Sequence, residues 1–168
     1  MDAEPVLALL ARRLAEHRLE VILIGNMAAA LHGAPVTTVD VDFLFRKTPV
    51  NLRRLRELSR TMQATLLRPY YPASDLFRMQ RDSDNLQVDF MGHIDGVSSF
   101  ESLRSRAVRI NLRGAELLVA DLRDIIRSKK ATGRAKDKAA IAILEETLHA
   151  IEEKGTEPGT KKRSRQRK

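Results

Sequence analysis

The chain has 168 residues, a net charge of +8, 43% hydrophobic and 31% charged residues, the size and mixture of one globular domain with a substantial core. It has no cysteine, which excludes disulfide scaffolds, Cys-ligated zinc, iron–sulfur clusters and thiol catalysis. No apolar run approaches the roughly 18 residues of a membrane span, and the acidic opening Met1-Asp2-Ala3-Glu4-Pro5 does not read as a secretory leader, so a cytoplasmic protein with no membrane partner is expected.

Val6, Leu7, Leu10 and Leu14 recur at helical spacing and predict a helix over 4–18. Glu20-Val21-Ile22-Leu23-Ile24 is a short apolar run ending at Gly25, the pattern of a buried strand. Asn26 is expected to cap a helix over 27–31, which His32-Gly33-Ala34-Pro35 stops. Residues 39–45 read as the second strand, and Pro49 opens a helix striped by Leu52, Leu55, Leu58 and Met62. Residues 76–80 and 85–91 read as strands joined across the polar turn Asp82-Ser83-Asp84, and 99–105 as a short helix. Val108, Ile110 and Leu112 alternate, and a short apolar stretch over 117–120 follows Gly114. Asp121 caps a helix to about Lys130, and a last helix runs over 135–152 beyond Gly133. The order α–β–α–β–α, then two or three strands, then two helices, predicts an α/β (α+β) fold, a mixed sheet with helices packed on it and a C-terminal helical element.

The charge is unevenly spread. Residues 154–168 hold seven basic residues and one acid, so this segment carries +6 and residues 1–153 only +2. With Gly155, Pro158 and Gly159 and nothing apolar to pack, 154–168 is expected to be a solvated basic tail on a domain formed by 1–153. Such a tail suits RNA or DNA phosphates through counterion release, or serves only as a solubilising terminus.

The strand over 39–45 is chemically unusual. Alternation puts Val41, Phe43 and Phe45 on one face and Asp40, Asp42 and Leu44 on the other. Two like charges on one strand face repel and resist desolvation, with α-carbons roughly 6–7 Å apart. Carboxylates so placed suit a hard divalent cation such as magnesium, which also binds substrate phosphates. In Leu86-Gln87-Val88-Asp89-Phe90, Asp89 likewise stands opposite its strand's apolar face. One such aspartate alone would be read as a turn cap or a solvated group; Asp89 beside Asp40 and Asp42 on neighbouring strands reads as a metal site. Upstream, Gly25 lets the backbone approach a ligand, and the amides opening the next helix favour anions.

The stretch Leu23-Ile24-Gly25-Asn26 … Leu31-His32-Gly33-Ala34-Pro35 … Thr38-Val39-Asp40-Val41-Asp42 resembles the signature of the nucleotidyltransferase superfamily, most closely the small bacterial branch with the AbiEii/MenT-type toxins. Asp121 through Asp137 resembles that branch's helix–Gly-Arg-x-Lys-Asp–helix element. Asn26 stands where the family has Gly or Ser, and Val36 where an arginine is common.

The resemblance implies a nucleotidyltransferase-like twisted mixed sheet. It implies magnesium-dependent transfer of a nucleoside monophosphate from an NTP such as ATP to an acceptor hydroxyl, with two magnesium ions held by Asp40, Asp42 and Asp89. Gly25, Asn26, Thr38 and Lys129 are then expected at the nucleotide, and Asp89 is expected to help deprotonate the acceptor. Arg134, Lys136 and Asp137 would contact the acceptor or phosphates; for Arg134 and Lys136 a solvated inter-helix turn is an equal reading. The implied partners are an acceptor RNA, notably tRNA, and a cognate antitoxin protein, as one half of a toxin–antitoxin pair. A protein or small aminoglycoside-like acceptor remains open, and a degenerate fold that binds nucleotide or RNA without catalysis is the alternative. His32 is expected to end its helix and bond backbone rather than act as a base, and His93 reads as a turn residue.

Overall fold

The computed structural model describes residues 3–156. In chain order the elements are α1 (Ala3–Glu16), β1 (Val21–Ile24), α2 (Gly25–Leu31), β2 (Val41–Phe45), α3 (Pro49–Thr61), β3 (Thr65–Leu67), β4 (Phe77–Arg81), β5 (Leu86–Met91), α4 (Phe100–Arg106), β6 (Val108–Leu112), β7 (Ala115–Val119), α5 (Leu122–Thr132) and α6 (Asp137–Thr156). The seven strands form one mixed sheet in the order β3-β4-β5-β2-β1-β7-β6, in which β1–β7 and β2–β5 are parallel and the other neighbours antiparallel. This is the mixed α/β architecture expected from the order of elements.

Aromatic packing sets the register that matters. Phe43 of β2 lies opposite Phe90 of β5, their rings stacked at 5.5 Å, and Phe45 meets Phe77 and Phe90 edge-on. All four rings are buried, each worth about 1.5–3 kcal/mol by area removed from water. Strand alternation then forces Asp42 and Asp89, themselves directly opposite, onto the other face. A slip of one residue in either strand would drive its carboxylate into the phenylalanine core, so the core specifies the site.

Local chemistry anchors the ends. Thr48 caps α3 by accepting from the Asn51 amide, and Pro49 takes the first helical position. Asn51, fully buried, accepts from the Glu20 amide and donates to the Glu20 and Arg46 carbonyls, tying the start of β1 to the end of β2. Asp121 caps α5, and Gly133 ends it in the left-handed conformation at φ 68°.

Four details depart from the sequence expectations. Asn26 is not a cap: α2 starts at Gly25, with Ile24 at the N-cap and no side-chain cap bond. Asp40 lies just outside β2, in the exposed approach to it. The three-residue strand β3, with two of its three residues exposed, is too short to show a period and has no counterpart among the expected elements. The last helix runs to Thr156, three residues into the segment expected as tail, and 157–168 lie outside the described residues.

Candidate active site

Asp42, the second residue of β2, occupies the centre of a row across the sheet: Arg78 on β4 faces Asp89 on β5, Asp89 faces Asp42, and Asp42 faces Ile24 on β1. Gly25 follows Ile24 with φ +71°, a conformation glycine adopts without steric cost. A Cβ at Gly25 would come within 3.1 Å of Asp42 Oδ2, so the bare backbone is what allows the carboxylate its position. Burial, followed by repulsion from Asp89 and Asp40, pushes the Asp42 carboxyl up from 3.8 to about 6, with Lys129 and Arg78 pulling it back.

A cleft of about 250 Å³ opens beside Asp42, between the ends of β1 and β5 and the helices α5 and α6. Lys129 lines it, its Nζ 3.2 Å from Asp137 Oδ1, with both side chains largely buried. Arg134 and His93 also line it; His93, expected as a turn residue, lies instead in the irregular segment that follows β5. Lys130, one residue on, pairs with Glu145 on the exposed surface instead. Lys136 is exposed and does not line the cleft. His32 ends α2 and bonds through Nε2 to the Ala120 carbonyl at 2.7 Å, the backbone role expected of it. Thr38 Oγ1 accepts from the Asp40 amide at 3.1 Å and so shapes the turn that presents Asp40. Asn26 Oδ1 is buried without a hydrogen-bond partner among the described residues.

Two features escape a reading of the sequence. Arg78 grips Asp89 in a bidentate pair, Nε to Oδ1 at 2.8 Å and Nη2 to Oδ2 at 2.9 Å. The polar turn between β4 and β5 is the available signal, because pairing outward from it puts residue 78 opposite residue 89. Asp124, fully buried in the cleft wall, accepts from Arg106 twice and from Arg127 once, fastening α5 to α4; its place in an amphipathic helix hides it.

Among the described residues, no three acidic, histidine or cysteine side chains converge closely enough to hold a metal ion together. Asp89 is committed to Arg78, whereas no hydrogen bond or ion pair engages the carboxylates of Asp42 and Asp40 among the described residues. Their oxygen donors are the chemistry a hard divalent cation takes, and a cation at Asp42 would offset the burial and the repulsion that raise its carboxyl.

No protein-family model and no curated protein matches the chain. Solved structures do. A nucleotidyltransferase-like antigenic protein from Paracoccidioides brasiliensis superposes with a TM-score of 0.57 at 16% identity, covering 88% of this chain and 75% of that one. The lincosamide antibiotic adenylyltransferase LnuA, in its lincomycin-bound form, gives 0.60 at 10% identity, over 88% and 98%. ANT(2″)-Ia in complex with adenylyl-2″-tobramycin gives 0.57 at 14% identity, over 89% and 89%. At these identities the likeness is one of fold: the chain has a nucleotidyltransferase-like fold.

Proposed function

We propose that the protein transfers a nucleoside monophosphate from an NTP to an acceptor hydroxyl, with the triphosphate in the cleft between Asp42 and Lys129. The observation that carries this reading is the placement of Asp42, a half-buried carboxylate of raised proton affinity against a glycine backbone and facing a lysine-lined cleft, in a fold shared with adenylyltransferases. A magnesium ion held by Asp42 and Asp40 would supply positive charge to the phosphate oxygens. Lys129 acts as a point charge on the phosphates, exchanging its bond to Asp137 for one to the incoming anion. The acceptor oxygen attacks the α-phosphorus, the bond to the β-phosphate breaks, pyrophosphate leaves, and the hydroxyl proton departs toward the Asp42–Asp89 pair. Arg78 holds Asp89 aligned beside Asp42 until the acceptor arrives, and Arg134 at the cleft rim assists the departing phosphates. The magnesium dependence, RNA as the acceptor, tRNA in particular, and a toxin role paired with an antitoxin follow from the AbiEii/MenT-type resemblance and are part of this reading.

The second reading, a nucleotide- or RNA-binding protein without catalysis, is favoured by one observation: both oxygens of Asp89 are taken by Arg78, which leaves no second cation a full set of ligands. Incubation with each α-labelled NTP, magnesium and total tRNA separates the two. Label in RNA with pyrophosphate release supports transfer. Binding without label in RNA, in cell protein or in small molecules supports the second reading.

A further inference from the structure

The sheet continues past the carboxylates. Beyond Asp89 lie β4 and β3, and the nine-residue connection between them, residues 68–76, carries the chain's only two tyrosines side by side. Tyr70 and Tyr71 are 54% and 62% exposed. Four of the five phenylalanines are buried and Phe100 is partly buried, so the two exposed aromatic rings among the described residues stand together here. The connection is tied down. Arg68 and Lys47 both pair with Asp75, and the Ser74 amide bonds the Tyr70 carbonyl at 2.9 Å. A guanidinium serves each ring: Arg68 lies 4.0 Å over Tyr71 and Arg78 lies 5.9 Å from Tyr70. Arg78 is the residue that also grips Asp89. With strands about 4.8 Å apart, its backbone is about 10 Å from that of Asp42.

We propose that Tyr70 and Tyr71, flanked by Arg68 and Arg78, form a stacking platform for the single-stranded end of an acceptor RNA, which runs over β4 and β5 to bring its terminal hydroxyl to Asp42 and Asp89. The inference rests on the transfer reading above and names the acceptor's side of the same site. Paired rings backed by guanidinium groups match what an unpaired strand offers, flat bases to stack and phosphates to attract. The two sides of Asp42 then divide the work: the triphosphate enters from the α5 side and the strand from the β4 side.

The test is binding of the full chain to a fluorescein-labelled unstructured RNA of about 12 nucleotides, read by anisotropy without nucleotide. Tyr70→Ala with Tyr71→Ala is expected to weaken binding about tenfold or more, since base–aromatic stacking carries roughly 1–3 kcal/mol per base. The salt dependence should keep its slope, because stacking releases no counterions. Tyr70→Phe with Tyr71→Phe should bind within about twofold, since the faces remain. The protein has no tryptophan, so its tyrosine fluorescence reports on this platform alone and should be quenched by RNA. An alanine variant that binds as wild type, a phenylalanine variant as weak as the alanine one, or unquenched tyrosines at saturation would each overturn the proposal. Binding of MgATP, measured separately on the wild type and the alanine variant, should be equal in the two; a wild type that does not bind MgATP would strike the transfer reading instead.

Discussion

The two flanks of Asp42 are built differently. On the α5 side the charges are enclosed: Asp124 is 1% exposed beneath two arginines, and Lys129 and Asp137 pair at 14% and 11% exposure. On the β4 side the sheet carries open polar and aromatic surface, with Tyr70 and Tyr71 more than half exposed. An enclosed pair resists solvent and gives a strong, directional charge for a compact anion. An open shelf favours a long, flexible ligand that enters from outside. The sheet joins them through Asp42, the group whose energetics respond to both sides.

Removing that junction should have the largest effect. Because Asp42 is raised from 3.8 to about 6 in the fold, its ionised form lowers stability by about 2–3 kcal/mol above pH 6. The folded state holds the proton more tightly than the unfolded chain, so this cost shrinks as pH falls from about 6 and is gone below about 4. Asp42→Asn should therefore be more stable than wild type at neutral pH, with the two curves meeting in acid. Denaturant titrations at several pH values check this; a gap that widens in acid would contradict it.

The enclosed flank is tested by neighbours on one helix. Lys129→Ala leaves Asp137 buried without its cation, so a loss of about 2 kcal/mol and a weaker grip on MgATP are expected. Lys130→Ala touches an exposed pair with Glu145 and should cost about 0.5 kcal/mol or less, with MgATP affinity intact. Thermal melts and calorimetry on both variants give the contrast, and equal effects would erase the distinction between lining and exposed lysines.

The expectations from sequence fare best where periodicity and core packing coincide. The strands of Asp42 and Asp89 and the stop at His32 follow from alternation and a helix stop, both local properties, whereas the place of Lys129 follows only from the family resemblance. What local pattern does not supply is cross-strand partnership. Arg78 has no motif of its own and acquires meaning only opposite Asp89, through the register of β4 on β5. The tyrosine shelf is invisible for the same reason, since its closeness to the carboxylates depends on where β3 and β4 join the sheet.

A finer probe is Gly25→Ala. Its φ of +71° disfavours any side chain by roughly 1–2 kcal/mol, and the added Cβ would press on Asp42 Oδ2. Stability should fall by about that amount, and MgATP affinity should fall with it. Smallest should be the consequence of removing 157–168, which carry six basic residues and one acid. Thermal stability should not change, while the slope of log RNA affinity against log salt should become shallower by about 0.7 for each phosphate these cations neutralise.

The central claim, that Asp42 and Asp40 form the cation-dependent nucleotide site, is tested most directly by calorimetric titration of ATP with magnesium into wild type and into the variant carrying Asp40→Asn with Asp42→Asn. Saturable, magnesium-dependent binding to the wild type and its loss in a variant that remains folded are expected. Equal affinity in both proteins would contradict it.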